Sequence, residues 1–317
     1  MKKQALKNEY GKRELTEGRL RLRWAAALFA AFILITAIVD AIRCADGFLT
    51  MEYEVASPKI SREVRLVMVS DLHETEYGEG NSELLSAVRE LSPDAILVNG
   101  DMVSAKTDEA GKNIGVDLVK ALTEIAPVYL SIGNHEHGYI KRNGIGIWND
   151  LYNTGAVILD GKYADIELNG QTFRIGGTSD YCYNHYYKEK VYKQTANYLF
   201  LNDFCDTELF KLLLCHMPDN YVPTPKELVY EDWDCDLVLS GHTHGGLWRL
   251  PFIGAPYLPG QGFFPKLVRG RYDVGNAEMI IGAGLTQHNR LPRIGAPAEL
   301  LLIRLVPETA GECGASE

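Results

Sequence analysis

"EVRLVMVSDLH", residues 63–73, is the stretch whose reading decides the fold. Its first eight residues are a β-branched apolar run bounded by charge, the pattern of a strand buried on both faces. Then the character changes: Val69 and Ser70 give way to Asp71 and His73. In α/β sheets, ligands bind outside the carboxyl ends of the strands, and this strand ends in an acid and an imidazole.

The same arrangement recurs along the chain. "NSELLSAVRELS" (81–92) sets Leu84, Leu85, Val88 and Leu91 at helical spacing behind an Asn/Ser cap. "DAILVNG" (94–100) reads as the next strand and runs into Asp101. "NIGVDLVKALTEIA" (113–126) reads as a helix, and "PVYLSIG" (127–133) as a strand running into Asn134, His135 and Glu136. This alternation predicts a right-handed parallel sheet. A helix-like segment follows near 144–154. "KYADIEL" (162–168) and "QTFRIGG" (171–177) flank Asn169-Gly170, a hairpin signal. A helix is expected at about 187–203. The strands "LFKLLLC" (209–215) and "CDLVLS" (235–240) then run into His216 and into "GHTHGG" (241–246). Late strands fit 266–272, 277–282 and 298–305, and the final ten residues read as frayed.

Parallel strands deliver their carboxyl ends to one edge, so five distant segments should converge. Each of these motifs alone is common in turns; five in order, each at a strand end, are not. Together they bring two carboxylates, an amide oxygen and four imidazoles, about seven donors. Mixed nitrogen and oxygen donors suit Zn, Mn or Fe. The number of donors fits two divalent ions sharing a bridging carboxylate, an arrangement that clamps both oxygens of an in-line phosphoryl displacement. Gly241, Gly245 and Gly246 are expected to permit tight turns, with His242 and His244 on one side of an extended backbone.

Charge is unevenly spread. Residues 1–23 hold eight Lys/Arg against three Glu; the chain as a whole is at −10, so the remainder is strongly acidic. That excludes a broad basic face for nucleic acid. "WAAALFAAFILITAIV" (24–39) carries no charge. A core helix or a cleaved signal are alternatives, but no small-x-small cleavage site follows, and Cys44 after Arg43 is wrong for lipid attachment. The expected organisation is a basic cytoplasmic tail (1–23), a single-pass transmembrane anchor (24–42), a tether (43–61), an extracytoplasmic catalytic domain (62–306) and a frayed tail (307–317). None of the six cysteines forms a CxxC, which disfavours structural zinc, and Cys182 with Cys205 is a candidate pair.

Taken in order, "DLH", "GD", "GNHE", "H" and "GHTH" resemble the calcineurin-like metallophosphoesterase superfamily. "SDLHETEYG", "GHTHGG" with "RLPFIGAPYLPGQGFFPK", and "NRLPRIGAPAELLLIRL" are similar to its membrane-anchored bacterial branch, related to UDP-2,3-diacylglucosamine hydrolases. The resemblance implies an α/β four-layer sandwich, two packed mixed β-sheets flanked by helices. It implies that Asp71, His73 and His244 hold one metal, that Asn134, His216 and His242 hold the other, and that Asp101 bridges them. It implies that His135 acts on the phosphate or leaving oxygen and that a metal-bridging hydroxide attacks phosphorus. The chain departs from the branch pattern at Ser104, at Leu247 and in "APAEL", none of which is a ligand position.

The function expected is a phosphodiesterase or pyrophosphohydrolase on an envelope phosphate such as a lipid headgroup. Rival readings are a non-catalytic membrane-tethered binding module, a phosphomonoesterase and a protein phosphatase. Lys141, Arg142 and Arg249 are candidate phosphate contacts. His137 is a candidate substrate contact, Glu136 a supporting residue. The aromatic stretches 247–264 and 181–193 are candidate covers or lips.

Overall fold

The computed structural model describes residues 2–45, 47–179, 196–222, 233–250, 253–259, 261–287 and 292–308. In chain order it forms α1 (Lys2–Ala45), β1 (Leu49–Ser57), β2 (Val64–Val69), α2 (Ser82–Glu90), β3 (Ala95–Asn99), α3 (Glu109–Thr123), β4 (Val128–Ser131), α4 (Asn134–Asn143), α5 (Gly146–Tyr152), β5 (Val157–Ile158), β6 (Lys162–Leu168) and β7 (Gln171–Gly177). Then come α6 (Ala196–Cys205), β8 (Phe210–Leu214), α7 (Pro218–Tyr221), β9 (Leu237–Ser240), β10 (Tyr257–Leu258), β11 (Gly262–Phe263), β12 (Gly270–Val274), β13 (Ala277–Ile281) and β14 (Glu299–Pro307).

Two six-stranded sheets make the body, in the orders β1-β14-β2-β3-β4-β5 and β12-β13-β9-β8-β7-β6. Both are mixed. β2 to β5 run parallel while β14 pairs antiparallel with β2. β7, β8, β9 and β13 run parallel, with β6 and β12 antiparallel at the edges.

Period-two alternation sorts the side chains into three cores. From β2, Val67 and Val69 join Leu84, Val88, Leu118 and Leu122 of α2 and α3. Leu66 and Met68 point the other way and meet Phe210, Leu212, Leu214, Leu237 and Leu239 of the second sheet. On that sheet's far side, Leu213, Val238 and Met279 pack on Leu201 and Phe204 of α6. The layers are therefore helix, sheet, sheet, helix. Full burial of each of these side chains is worth about 1.5–3 kcal/mol, which is why the strands read as unbroken apolar runs.

Residues up to Arg43 and those from Cys44 onward form separate units. Within the first, Arg19–Ile42 is long and apolar enough to cross a membrane by length and composition. Its 24 residues rise about 36 Å as a helix, against roughly 30 Å of hydrocarbon.

Three expectations are corrected. The segment expected as a tether contains β1, paired in parallel with β14 from Leu49↔Glu299 to Ser57↔Pro307. Met51, Tyr53 and Val55 alternate inward while Glu52 and Glu54 stay exposed. The helix expected near 144–154 is preceded by another, α4, which opens at Asn134 just after β4. The strand expected at 266–272 begins at Gly270. Residues 187–195 of the expected helix, and all of 181–193 with Cys182, lie outside the described residues.

Candidate metal centre

The carboxyl ends of β2, β3, β4, β8 and β9 carry the expected side chains to one place. Donor atoms of Asp71, His73 and His244 lie within 4.8 Å of one another. So do those of Asp101, His216 and His242, and those of His73, Asp101 and His135. Asp101 Oδ2 is 3.0 Å from His216 Nε2 and 3.6 Å from His73 Nε2. Asp71 Oδ1 is 3.9 Å from His216 Nε2 and 4.0 Å from His244 Nδ1. Asn134 follows Gly133, where a Cβ would fall 2.2 Å from Asp101 Oδ1.

The local backbone is unusual. Asp71, His73, Asp101, His242 and His244 all have positive φ, between 46° and 67°. Each such non-glycine residue costs of the order of 1–3 kcal/mol, and clusters of them mark functional sites. This corrects the reading of an extended backbone at 242–244: the two imidazoles reach different donor groups from left-handed turns. Gly245 and Gly246 do turn at φ 63° and 81°. Gly241 is needed for another reason, since a Cβ there would sit 2.3 Å from Asp71 Oδ2.

Each carboxylate has one oxygen tied to backbone and the other unpaired. Asp71 Oδ1 accepts from the His242 amide at 2.9 Å, and Asp101 Oδ1 from the His135 amide at 2.8 Å. Asp71 Oδ2, Asp101 Oδ2, His73 Nε2, His244 Nδ1 and Asn134 Oδ1 are buried without a hydrogen bond. Buried polar atoms left unpaired cost about 1–3 kcal/mol each, and a divalent cation would satisfy this set of them together. Neighbouring ligands around a small cation with bonds near 2.1 Å lie about 3 Å apart, which matches the closest spacings. The residues fit divalent metal.

Protonation agrees. Burial pushes His73 down to about 3 against the pull of Asp101. Burial, then Arg293, takes His244 to about 3. Burial, then His216, takes His242 to about 4. All three are neutral at physiological pH, the form that ligates metal. Burial raises Asp101, but His216 at hydrogen-bonding distance overrides it and holds the carboxyl well below the usual range.

Two histidines carry opposite tautomers. His216 Nδ1 lies 2.7 Å from the Asn99 carbonyl, so it donates, and Nε2, which faces the carboxylates, is the nitrogen that can ligate once it gives up its proton. His135 Nδ1 accepts the Ala105 amide at 3.1 Å, so its Nε2 carries the proton in the neutral ring. A protonated Nε2 does not ligate, which separates His135 from the ligands although it stands close to His73 and Asp101.

Two supporting residues stand out. The buried Glu136 carboxylate accepts four backbone amides: Asp101 at 2.9 Å, Met102 at 2.7 Å, Val103 at 3.1 Å and Gly133 at 2.8 Å. It ties the β3 and β4 loops together. Arg293, 3% exposed, donates to the carbonyls of Thr286, His244, Ala296, Pro297, Ala283 and Gly284. Arg293 lies in the stretch "NRLPRIGAPAELLLIRL", but its role cannot be read from spacing, because its partners are carbonyls contributed by three separate segments.

Lys141 and Arg142 are exposed near the far end of α4, about 12 Å along the axis from Asn134. Arg249 is half-buried, its amide bonded to Ile294. His137 is half-buried on α4, lowered by burial against the pull of Asp160 and then of Asp101, so it stands within electrostatic reach of the donor cluster. Trp248, Ile253, Tyr257, Phe263 and Phe264, just past the histidine loop, are exposed.

A family model described as calcineurin-like phosphoesterase matches residues 64–246. The uncharacterized metallophosphoesterase YkuE of Bacillus subtilis (strain 168) is 27% identical over 246 residues, covering 76% of this chain and 78% of that protein. Phosphodiesterase YaeI of Escherichia coli (strain K12) is 29% identical over 201 residues, covering 62% and 66%. A Danio rerio protein named transmembrane protein with metallophosphoesterase domain is 23% identical over 297 residues, covering 83% of this chain and 63% of that protein. The family match spans more than half of the chain and contains the seven expected donor residues and His135: the chain belongs to the calcineurin-like phosphoesterase family and is a metal-dependent phosphoesterase.

Proposed function

We propose that this protein is a binuclear phosphodiesterase or pyrophosphohydrolase acting on a phosphate-bearing envelope substrate, anchored by α1 with its body outside the cytoplasmic membrane. The observation that carries the reading is the set of buried, unpaired donor atoms on Asp71, His73, Asp101, Asn134 and His244. Asp71, His73 and His244 would hold one ion, Asn134, His216 and His242 the other, with Asp101 between them. When bound, two divalent ions neutralise phosphate oxygens and acidify an attacking water.

The chain's own groups do the rest. The His135 and His242 amides fix the Asp101 and Asp71 carboxylates through one oxygen each. The Asn99 carbonyl fixes the His216 tautomer. His135, with its proton on Nε2, is suited to donate to the departing oxygen, a contribution worth roughly 10²–10⁴-fold.

The relative named a phosphodiesterase supports diester chemistry. The one named a transmembrane protein, and the span Arg19–Ile42, support anchoring. Eight Lys/Arg within residues 1–23, at or ahead of the start of the span, favour a cytoplasmic N-terminus. The exposed aromatics at 248–264 favour a lipid-borne substrate.

The test is hydrolysis of aryl phosphodiesters and phosphomonoesters by the full-length protein in detergent, with Mn²⁺, Zn²⁺ or chelator. The expected result is metal-dependent turnover, faster on the diester. Preference for the monoester overturns the diester assignment. Inertness on both after metal saturation leaves the binding-module reading instead.

A further inference from the structure

Cys205 ends α6, and Cys235 stands two residues before β9. Their sulfurs are 3.8 Å apart. Cys205 is half-exposed and Cys235 is buried. The segments that hold them are already clamped. Lys211 Nζ, on a side chain 1% exposed, reaches the Thr207 carbonyl at 3.2 Å and the Asp234 carboxylate at 2.6 Å. Those two residues flank the cysteines. The Lys211 amide also bonds Asp236 at 2.8 Å, and the Asp236 amide bonds the Lys211 carbonyl at 3.1 Å. Closing from 3.8 Å to the roughly 2.05 Å of a disulfide brings the sulfurs together by less than about 2 Å, between segments that this clamp already joins.

We propose that Cys205 and Cys235 form a reversible structural disulfide by exchange with a disulfide oxidant. The half-exposed Cys205 thiolate attacks one sulfur of the oxidant, forming a mixed disulfide and releasing one thiolate. Cys235 then gives up its proton and attacks Cys205 Sγ, forming the internal bond and releasing the second thiolate. Two protein thiols are oxidised, and one external disulfide is reduced to two thiols. The hydrogen bond from Cys235 and the Lys211 ammonium both lower the Cys205 thiol, against burial, which suits it to be the attacking group.

The bond would sit at the amino ends of β8 and β9, whereas His216 and His242 follow their carboxyl ends. Five residues of β8 separate the two edges by about 17 Å. The disulfide is therefore a lock on the intervening segment, which contains α7, and not part of the chemistry. It does not depend on the substrate assigned above.

The test is peptide mapping of the full-length protein after equilibration in oxidised or reduced glutathione, with unreacted thiols alkylated under denaturing conditions. A Cys205–Cys235 crosslink that forms in oxidised buffer and disappears with dithiothreitol is expected. Closing this loop of about 30 residues should raise Tm on the order of 10 °C, with kcat unchanged within about twofold. Cys205→Ser should abolish both the crosslink and the Tm rise. Cys235→Ala should trap glutathione on Cys205; if that variant fails to fold, the wild-type map decides alone. Full alkylation of both cysteines in oxidised buffer, or a Cys182–Cys205 link, would overturn the proposal.

Discussion

The Ala105 amide donates to His135 Nδ1 at 3.1 Å, and that contact leaves the neutral ring's proton on Nε2, among the proposed metal ligands. Had the ring been held through an Nδ1–H donor, as His216 is by Asn99, its Nε2 would be one more metal ligand. We expect His135→Ala to retain its metal content while kcat falls roughly 10²–10⁴-fold, the usual range for losing a general acid. Elemental analysis beside steady-state kinetics separates the two. A metal-depleted His135→Ala protein would make the residue a ligand.

Glu136 should behave as a joint between loops. Glu136→Gln preserves shape but puts an NH₂ where an oxygen now accepts two amides. A buried donor left unsatisfied costs about 1–3 kcal/mol, so Tm should fall by several degrees. Metal affinity should fall with it, because Asp101 hangs on the same turn. Calorimetry and metal titration check this; an unchanged Tm would mean that the four bonds are dispensable.

Arg293 makes a sharper case for geometry over charge. Its fork donates to the His244 carbonyl in the histidine loop and to carbonyls of the segments 283–286 and 296–297. Lysine keeps the charge but has three donors and no plane. Arg293→Lys should weaken metal binding about 10–100-fold, as loss of a ligand's outer support does, with Asp71 and His244 intact. Affinity equal to wild type, measured by competition with a chelator dye, would remove Arg293 from the site's support.

Much of this was legible in the chain. β2, β3, β4, β8 and β9 are buried on both faces, so composition alone marks them, and their polar ends mark the site. Asn169-Gly170 gives its hairpin by turn chemistry, with β6 and β7 antiparallel and Leu168 paired with Gln171. β1 was missed because Glu52 and Glu54, on its exposed face, make an edge strand look like a linker; the alternation of Leu49, Met51, Tyr53 and Val55 was the available signal. α4 was missed because "NHEHGYIKRN" buries only Glu136 and Tyr139 and has almost no apolar stripe. The positive-φ ligands, Arg293 and the closeness of Cys235 to Cys205 depend on contacts between distant segments, which no local pattern encodes.

Acid should destabilise the metal-free protein. Unfolded, His73, His242 and His244 take up protons near 6.5; folded, they resist until about 3, 4 and 3 respectively. Between those values the unfolded state binds more protons, so stability falls as pH falls. The slope reaches at most about 1.4 kcal/mol per pH unit for each histidine. Glu136, raised by burial and by Asp101, opposes this with one proton against three. Urea titrations of chelated protein from pH 7 to 5 should show the midpoint dropping steadily; a flat or rising midpoint contradicts the buried neutral imidazoles.

Metal stoichiometry addresses the centre itself. Full-length wild-type protein, saturated with Mn²⁺ or Zn²⁺ and freed of excess, should carry two ions per chain by elemental analysis, and Asp101→Asn no more than one. A wild type that never exceeds one ion, or an Asp101→Asn variant that keeps two, contradicts a paired site bridged by that carboxylate.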